Sequence, residues 1–218
     1  MVARTDSPRG VNPFVTPATP PQDPGGEVVE PDALWDDELS AQGPARPASA
    51  PQVDVADVEA WPVVDVMQRP VVCVMGLHGG AGATTVAELL GPDAMDVGRA
   101  WPVAAGWERP LPVLPVVAVA RLHRAGIAAA ERLARLWAAD TLTRSRLVGL
   151  VLIDDAPKLL QAQKESARRL ARMTPHGWHL GWNDRWRVEP ATLESAGLRA
   201  RQVIKNVRAI VRQNEQEK

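Results

Sequence analysis

The segment GLHGGAGATT, residues 76–85, limits what this chain can fold into more than any other feature of its sequence. It follows the apolar run VVCVMG and leads into TTVAELLG, which has the apolar spacing of a short helix that ends at a glycine. A glycine-rich turn in this position can bind an anion, because its backbone N–H groups and the positive end of the helix dipole converge on one point. The segment therefore predicts a phosphate loop. A tight turn without a ligand, in which the glycines only allow close packing, is the simpler alternative.

Short apolar runs without polar alternation recur after residue 70, as they do in buried parallel strands, and segments of helical spacing separate them. The sequence therefore predicts an α/β fold of the P-loop NTPase type, a small, mostly parallel sheet flanked by helices. Strands are expected at 71–76, 93–98, 115–120, 147–153 and 177–182. Helices are expected at 84–91, 122–137, 157–172 (with Asp155 as its cap) and 193–214, and a Pro- and Trp-rich loop at 98–112.

The N-terminal third differs in composition from the rest of the chain. Residues 1–70 hold 12 of the 20 prolines, with 12 acidic and 4 basic residues, whereas the remainder holds 14 acidic and 21 basic residues. So little apolar surface cannot offset the entropy of ordering the chain, which predicts a disordered acidic arm at 1–69 and one folded domain at 70–218. Two patches at 31–40 and 53–66 interleave acidic and hydrophobic residues. Each is either a docking motif for a protein partner or a solvated linker.

The sequence favours a cytoplasmic protein with no membrane contact. Its N-terminus lacks the apolar core of a secretory signal, and its longest apolar stretch, VLPVVAVA, is far shorter than the roughly 20 residues of a spanning helix. The single cysteine, Cys73, lies inside an apolar run, where a buried, reduced thiol is expected.

The loop departs from the strict pattern GxxxxGK[ST] at two positions, since Leu77 replaces the first glycine and Ala83 replaces the lysine. Thr84 stands where a Mg²⁺-binding hydroxyl belongs, and Asp96, after the weak strand at 93–98, is the best carboxylate for the metal. A purely structural role in a turn is the alternative for Asp96. The predicted nucleotide-binding residues are His78, Gly79, Gly80, Ala81, Gly82, Ala83, Thr84 and Thr85, and the predicted metal ligands are Thr84 and Asp96.

The loop resembles the deviant KGGxGK[ST][ST] loop of the ParA/MinD superfamily, with His78 at the first lysine and Ala83 at the second. Loops reading GGxGATT also resemble those of its pilus-positioning members. The resemblance implies ATP with Mg²⁺ as the ligand and a homodimer through the phosphate-loop face. Losing one charged hydrogen bond weakens binding by roughly tenfold or more, but losing cations at the transferring phosphate can slow hydrolysis by about 10³ to 10⁵. We therefore expect no efficient ATPase, and whether the protein is an enzyme stays open.

A wider resemblance covers about residues 70–190. The order HGGAGATT, DVGRAWP, PVVAVARLHRAG, VGLVLIDDAP and GWHLGWNDRWR is similar to a family of uncharacterised actinobacterial proteins associated with mobile elements. That resemblance implies a role near conjugation, segregation or another mobile-element process, and it implies no established activity.

The C-terminal part suggests a second kind of partner. Residues 158–218 hold 13 basic and 6 acidic residues, which fits either weak DNA contact or a solvated basic face. An aromatic and basic surface, or alternatively a packed strand and helix, is predicted from the following residues: Trp178, Trp182, Trp186, His176, His179, Arg185 and Arg187.

Three functions are consistent with these patterns. The first is a degenerate ParA/MinD-like nucleotide-binding switch or accessory factor with weak or no ATP hydrolysis. The second is a non-catalytic scaffold or DNA-associated adaptor that retains the fold without binding nucleotide. The third is an active ATPase that takes a lysine or arginine from another subunit, and its turnover would rise with protein concentration.

Overall fold

The computed structural model describes residues 39–106 and 109–216. Eight strands are defined there: β1 (Ala41–Gln42), β2 (Val63–Val66), β3 (Val72–Gly76), β4 (Ala94–Asp96), β5 (Trp101–Ala104), β6 (Leu114–Arg121), β7 (Ser145–Ile153) and β8 (His176–Leu180). Six of them form one sheet in the order β1-β8-β7-β6-β3-β4, and β2 pairs with β5 in a separate two-stranded sheet. Within the larger sheet all neighbours are parallel except β1, which runs antiparallel to β8.

Helices cover both faces of the larger sheet. They are α1 (Ala83–Leu90), α2 (Arg124–Ala138), α3 (Gln161–Ala171) and α4 (Leu198–Gln216), with short 3₁₀ helices at Pro47–Ser49 and Asp184–Arg187. One hydrophobic cluster contains buried residues of α2 and α3, and the other contains buried residues of α1 and α4. The strands between them are buried on both faces, so they read as continuous apolar runs in the sequence.

The predicted α/β fold with a mostly parallel sheet flanked by helices is confirmed. Three details differ from the prediction, and one of them is the start of the last helix, which lies at Leu198 instead of 193. The expected loop at 98–112 contains β5, whose Trp101 is buried and donates its indole N–H to the Thr143 carbonyl at 3.0 Å. The third helix begins at Gln161 instead of 157, so its N-cap is Leu160 and not Asp155. The Leu160 N–H donates to the Gln163 side chain at 2.9 Å.

Residues 39–69 also differ from the predicted disordered arm, since they belong to the folded body. Trp61 and Val66 are only 6% and 4% exposed, and the Arg132 guanidinium lies 3.8 Å from the centre of the Trp61 ring. The alternating pattern allows this, because Trp61 and Val66 pack inward while an acid such as Glu59 stays exposed. The remainder of the predicted arm, 1–38, and most of the patch at 31–40 lie outside the described residues.

Two further features of the described residues bear on function. None of their helices combines the length and the apolar character needed to cross a bilayer. Cys73 is fully buried in β3, as expected, and burial raises the pKa of its thiol to about 12. The thiol is therefore protonated at neutral pH and is a poor nucleophile.

Candidate functional site

The glycine loop, residues 77–82, joins β3 to α1 at the carboxyl edge of the sheet, where parallel α/β proteins bind their ligands. Gly80 and Gly82 have φ values of +72° and +95°, a left-handed conformation that glycine adopts without strain. A Cβ at Gly82 would lie 2.8 Å from Ile153 Cδ1, whereas a Cβ at Gly79 or Gly80 would meet nothing within 4 Å. Glycine is therefore favoured at 82 chiefly by its left-handed φ, since the terminal methyl group of Ile153 can shift, and the surface over 79 and 80 is open.

The backbone amides of the loop are largely unpaired. The Leu77 N–H continues the sheet by donating to Val119 at 2.9 Å, and the Ala81 N–H donates to the His78 carbonyl at 3.3 Å. Within the described part of the chain, the three glycine amides of the loop have no protein acceptor. Unpaired N–H groups at a helix start are the donors that an anion binds.

The two predicted metal ligands lie in direct contact. Thr84, in the first turn of α1, donates its hydroxyl to Asp96 Oδ2 at 2.6 Å. Asp96 ends β4, which runs parallel to β3, and its Oδ1 accepts the Gly98 N–H at 2.8 Å. Both side chains are exposed beside the glycine loop, so the fold joins residues twelve positions apart into one hydroxyl and carboxylate pair.

His78 occupies the first lysine position of the resembling loops but carries no charge here. Its Nε2 accepts the Arg121 N–H at 3.0 Å, and its Nδ1 donates to the Gly79 carbonyl at 2.9 Å, which defines a neutral tautomer. Burial, the largest cause, lowers the pKa of His78, and the neighbouring His123 and Arg121 lower it further. Both ring nitrogens are occupied by backbone groups, so the imidazole is not available as a cation for a phosphate.

The other predicted loop residues divide into packing and lining roles. Ala81 and Ala83 are 2% and 9% exposed, and their methyl groups lie 3.4 and 3.3 Å from the position of a Cβ at Gly76. They fill the space between β3 and the start of α1, so a longer side chain at Ala83 would have to leave that space. Thr85 is half-buried and lines a cavity beside the loop.

That strand-end cavity has a volume of about 410 Å³, inside the range of roughly 300–1,000 Å³ that small-ligand sites occupy. It lies at the carboxyl ends of β6, β7 and β8 and includes Gly82 of the glycine loop. The residues that line it include Arg121, Asp154, Asp155, Trp182, Trp186 and Arg187. Several of these residues stand out in the sequence separately, but no pattern there predicts a common cavity.

Arg121 is the lining residue that sequence analysis missed. It ends β6, its side chain is half-buried, and its Nε atom is buried without a hydrogen-bond partner among the described residues. Its backbone is held firmly, because a Cβ at Gly126 would lie 1.9 Å from the Arg121 carbonyl oxygen. The one available signal was a charged residue at the end of an otherwise apolar parallel strand.

Asp154 connects the ends of β7 and β8. It is 4% exposed and accepts hydrogen bonds from His179 Nε2 at 2.8 Å and from the Trp182 N–H at 3.1 Å. The Trp182 indole N–H donates to Asp184 at 2.8 Å, and that of Trp186 donates to Ser195 at 3.1 Å. These bonds fix the segment that carries both indoles against the cavity.

The predicted aromatic and basic surface is therefore only partly correct. Trp178 is fully buried and donates its indole N–H to Asn206 at 2.9 Å, and His179 is buried against Asp154. Both belong to the core, as the packing alternative predicted, because β8 lies between β7 and the edge strand β1 and its side chains pack under helices. Trp182 and Trp186 remain partly exposed and line the strand-end cavity.

Fold and site together define an α/β protein with a glycine-rich strand-to-helix loop beside a strand-end cavity. The chain belongs to the Family of unknown function (DUF6668), whose model matches residues 70–204. No curated protein and no solved structure matches the chain. Family membership therefore supplies no activity, and the function has to be argued from the site.

Proposed function

We propose that this protein binds a nucleotide through a degenerate ParA/MinD-like phosphate loop and acts as a switch or accessory factor with weak or no hydrolysis. The observation that carries the proposal is the 2.6 Å hydrogen bond between Thr84 and Asp96 beside three unpaired glycine amides. In P-loop NTPases, the loop Ser or Thr and a strand-end Asp together hold Mg²⁺ against the phosphates. A glycine turn that served only for packing would not need this pair.

The Thr84 and Asp96 pair fits the chemistry of Mg²⁺ with ATP. Magnesium is a hard cation that binds one or two protein oxygens and fills its other positions with water and phosphate oxygens. One hydroxyl and one carboxylate oxygen, both exposed, match that requirement. Among the described residues no group of three or more His, Cys, Asp or Glu side chains could hold a metal ion by itself, so nucleotide phosphates would complete the coordination.

The proposal of weak hydrolysis follows from the missing loop cations. Ala83 replaces the lysine, and His78 is neutral with both nitrogens bonded to backbone groups. Loop amides without a loop lysine bind phosphate, but they lack the cation that such loops place against the transferring group. We therefore propose that occupancy, rather than turnover, controls a homodimer or partner contact at the loop face. A role in conjugation, segregation or another mobile-element process follows only from the sequence resemblance.

The DNA-adaptor alternative receives less support from the basic residues. The Arg208 guanidinium donates to the Leu89 and Leu90 carbonyls at 2.7 and 3.1 Å, where it caps the end of α1. Arg169 forms an ion pair with Glu131. These cations stabilise the fold, which leaves fewer of them for a phosphate backbone.

Isothermal titration with ATP, with and without Mg²⁺, tests the nucleotide proposal. We expect Thr84→Val and Asp96→Asn each to weaken Mg²⁺-ATP binding by about tenfold, the cost of one charged hydrogen bond or metal contact. Binding without Mg²⁺ should change little. Thr84→Ser keeps the hydroxyl and should bind like the unaltered protein.

Asp93→Asn is the matched control, since Asp93 is exposed at the opposite end of the same strand region. The proposal fails if no binding is detected at millimolar nucleotide, or if Thr84→Val and Asp93→Asn have equal effects. In that case, duplex DNA binding that Thr84→Val retains, and that is lost on charge reversal at Arg168 and Arg172 in a variant with an unchanged unfolding temperature, would support the adaptor.

Phosphate release measured at several protein concentrations separates the switch from an ATPase completed by a second subunit. The switch predicts negligible release at every concentration. A specific rate that rises with protein concentration would replace it with the two-subunit mechanism.

A further inference from the structure

We infer that Arg121, which lies outside the loop at the end of β6, is the cation that holds the bound nucleotide by its phosphates, and that the strand-end cavity receives the nucleoside of the same nucleotide. This inference rests on the proposed function. It names the charge that the glycine loop lacks and explains why the cavity adjoins the loop.

Arg121 is the cation best placed to balance the negative charge of a nucleotide. A nucleotide brings several negative charges, and a charge removed from water requires an opposite charge as well as hydrogen bonds. The glycine loop offers amides and a neutral imidazole, and the cavity beside it is lined by two guanidinium groups, Arg121 and Arg187. Arg187 is exposed, and its guanidinium lies 5.4 Å from the centre of the Trp182 ring. Arg121 is the half-buried cation nearest the loop in strand order.

Arg121 also has a side-chain donor that no protein group uses, on a backbone that the sheet holds in place. Its Nε is buried and has no partner within the described residues, which is costly for a polar group unless a ligand completes it. Its N–H is bonded to His78, and its position in β6 pairs with Ile153 of β7. Because the Arg121 side chain is half-buried, it has fewer conformations to lose on binding than a fully exposed arginine.

The order of chemical groups along the edge of the sheet also matches a nucleotide. The strand order β3-β6-β7-β8 places the glycine loop first, then Arg121, then Asp154 and Asp155, and then the segment with Trp182 and Trp186. Amides and a cation suit phosphates, carboxylates accept hydrogen bonds from ribose hydroxyls or base amino groups, and indoles stack on a base. A nucleotide presents the complementary groups, phosphates, ribose and base, in the same order.

The two indoles are suited to stacking. Their N–H groups are already bonded to Asp184 and Ser195, and the Arg187 guanidinium lies over one side of the Trp182 ring, so the other side of that ring and the exposed part of Trp186 are what remain for a ligand. Base stacking on an aromatic side chain accounts for roughly a fivefold to hundredfold difference in affinity. Free polyphosphate has no base and gains nothing from these rings.

Two ligands and two variants test the inference by isothermal titration: Mg²⁺-ATP and inorganic tripolyphosphate, against Arg121→Gln and Trp182→Leu. We expect Arg121→Gln to weaken both ligands by about tenfold. Trp182→Leu should weaken ATP by about tenfold and leave tripolyphosphate within about twofold. Arg121→Lys keeps the charge and should retain most of the affinity.

Arg124→Gln is the control, because Arg124 is an exposed arginine three positions away in the first turn of α2. Thermal unfolding of each variant shows whether it is folded. If the unaltered protein binds neither ligand, the proposed function fails. If it binds ATP in a Thr84-dependent way but Arg121→Gln equals Arg124→Gln, only the role of Arg121 is overturned. If Trp182→Leu weakens both ligands equally, the nucleoside position is overturned.

Discussion

The glycine loop and the strand-end cavity lie side by side at the carboxyl edge of the sheet. They differ in the groups that they offer a ligand, uncharged backbone amides in the loop and charged and aromatic side chains in the cavity. The loop presents unpaired amides and no charge, since His78 is neutral and residues 77–85 contain no lysine or arginine. The cavity presents guanidinium groups, carboxylates and indoles from three strand ends. The contrast teaches that a loop without a cation of its own can lie next to a cation from another strand. The loop sequence alone therefore cannot decide whether a nucleotide binds.

The two regions also differ in how tightly they are packed. A Cβ at Gly79 would meet nothing within 4 Å, whereas a Cβ at Gly126, behind Arg121, would lie 1.9 Å from the Arg121 carbonyl oxygen and 2.8 Å from His78 Nε2. We expect the cavity side to resist substitution and the loop side to tolerate it.

The largest expected effect belongs to Gly126→Ala. The added methyl group would overlap a backbone atom, so α2 or the end of β6 must move, at a cost of about 3 kcal/mol in the free energy of unfolding. Urea denaturation measures this change in the free energy of unfolding. Gly79→Ala is the control and should stay within about 0.5 kcal/mol. Equal losses in the two variants would show that the loop is packed as tightly as the strand end.

Asp154→Ala is expected to have an intermediate effect. It leaves the buried His179 Nε2 and the Trp182 N–H without their acceptor, at a cost of about 2 kcal/mol. Asp184→Ala also removes an acceptor from Trp182, but at an exposed site where water can replace it, so we expect less than about 1 kcal/mol. Thermal or urea unfolding distinguishes the two. A larger loss in Asp184→Ala would contradict the anchoring role of Asp154.

The smallest expected effect is a pH dependence from His78. Burial lowers its pKa in the folded chain below the ordinary value of about 6.5, so the unfolded chain binds a proton first as the pH falls. Stability should therefore decrease below about pH 6.5 and level off once the folded histidine also protonates. His78→Gln should make this decrease shallower, as measured by unfolding free energies between pH 7 and pH 5.

His176 provides the comparison for that measurement, because burial lowers its pKa as well. His176→Gln should remove a separate part of the decrease, and the two substitutions should add, since the side chains lie in different parts of the sheet. An unchanged pH dependence in His78→Gln would show that the imidazole is not held neutral by the fold.

Sequence patterns predicted the strands and helices after residue 70 well, because a strand buried on both faces has a continuous apolar signature. They also paired Thr84 with Asp96, since a parallel neighbour ends at the same edge as the loop. They missed β2 and β5, whose few apolar residues alternate with acids or follow a proline. The whole of 39–69 was assigned to the arm because composition averaged a folded segment with its Pro-rich neighbour.

The sequence by itself determined the glycine loop, the apolar strands and the absence of lysine and arginine from the loop, because these depend on neighbouring residues. Only the tertiary structure decided that Arg121, Asp154 and Trp182 share one cavity. It also decided that His78 is neutral, since its two hydrogen-bond partners come from its own loop and from β6, 43 positions away. Charge and access depend on which distant groups surround a side chain, and strand order across a sheet sets that arrangement.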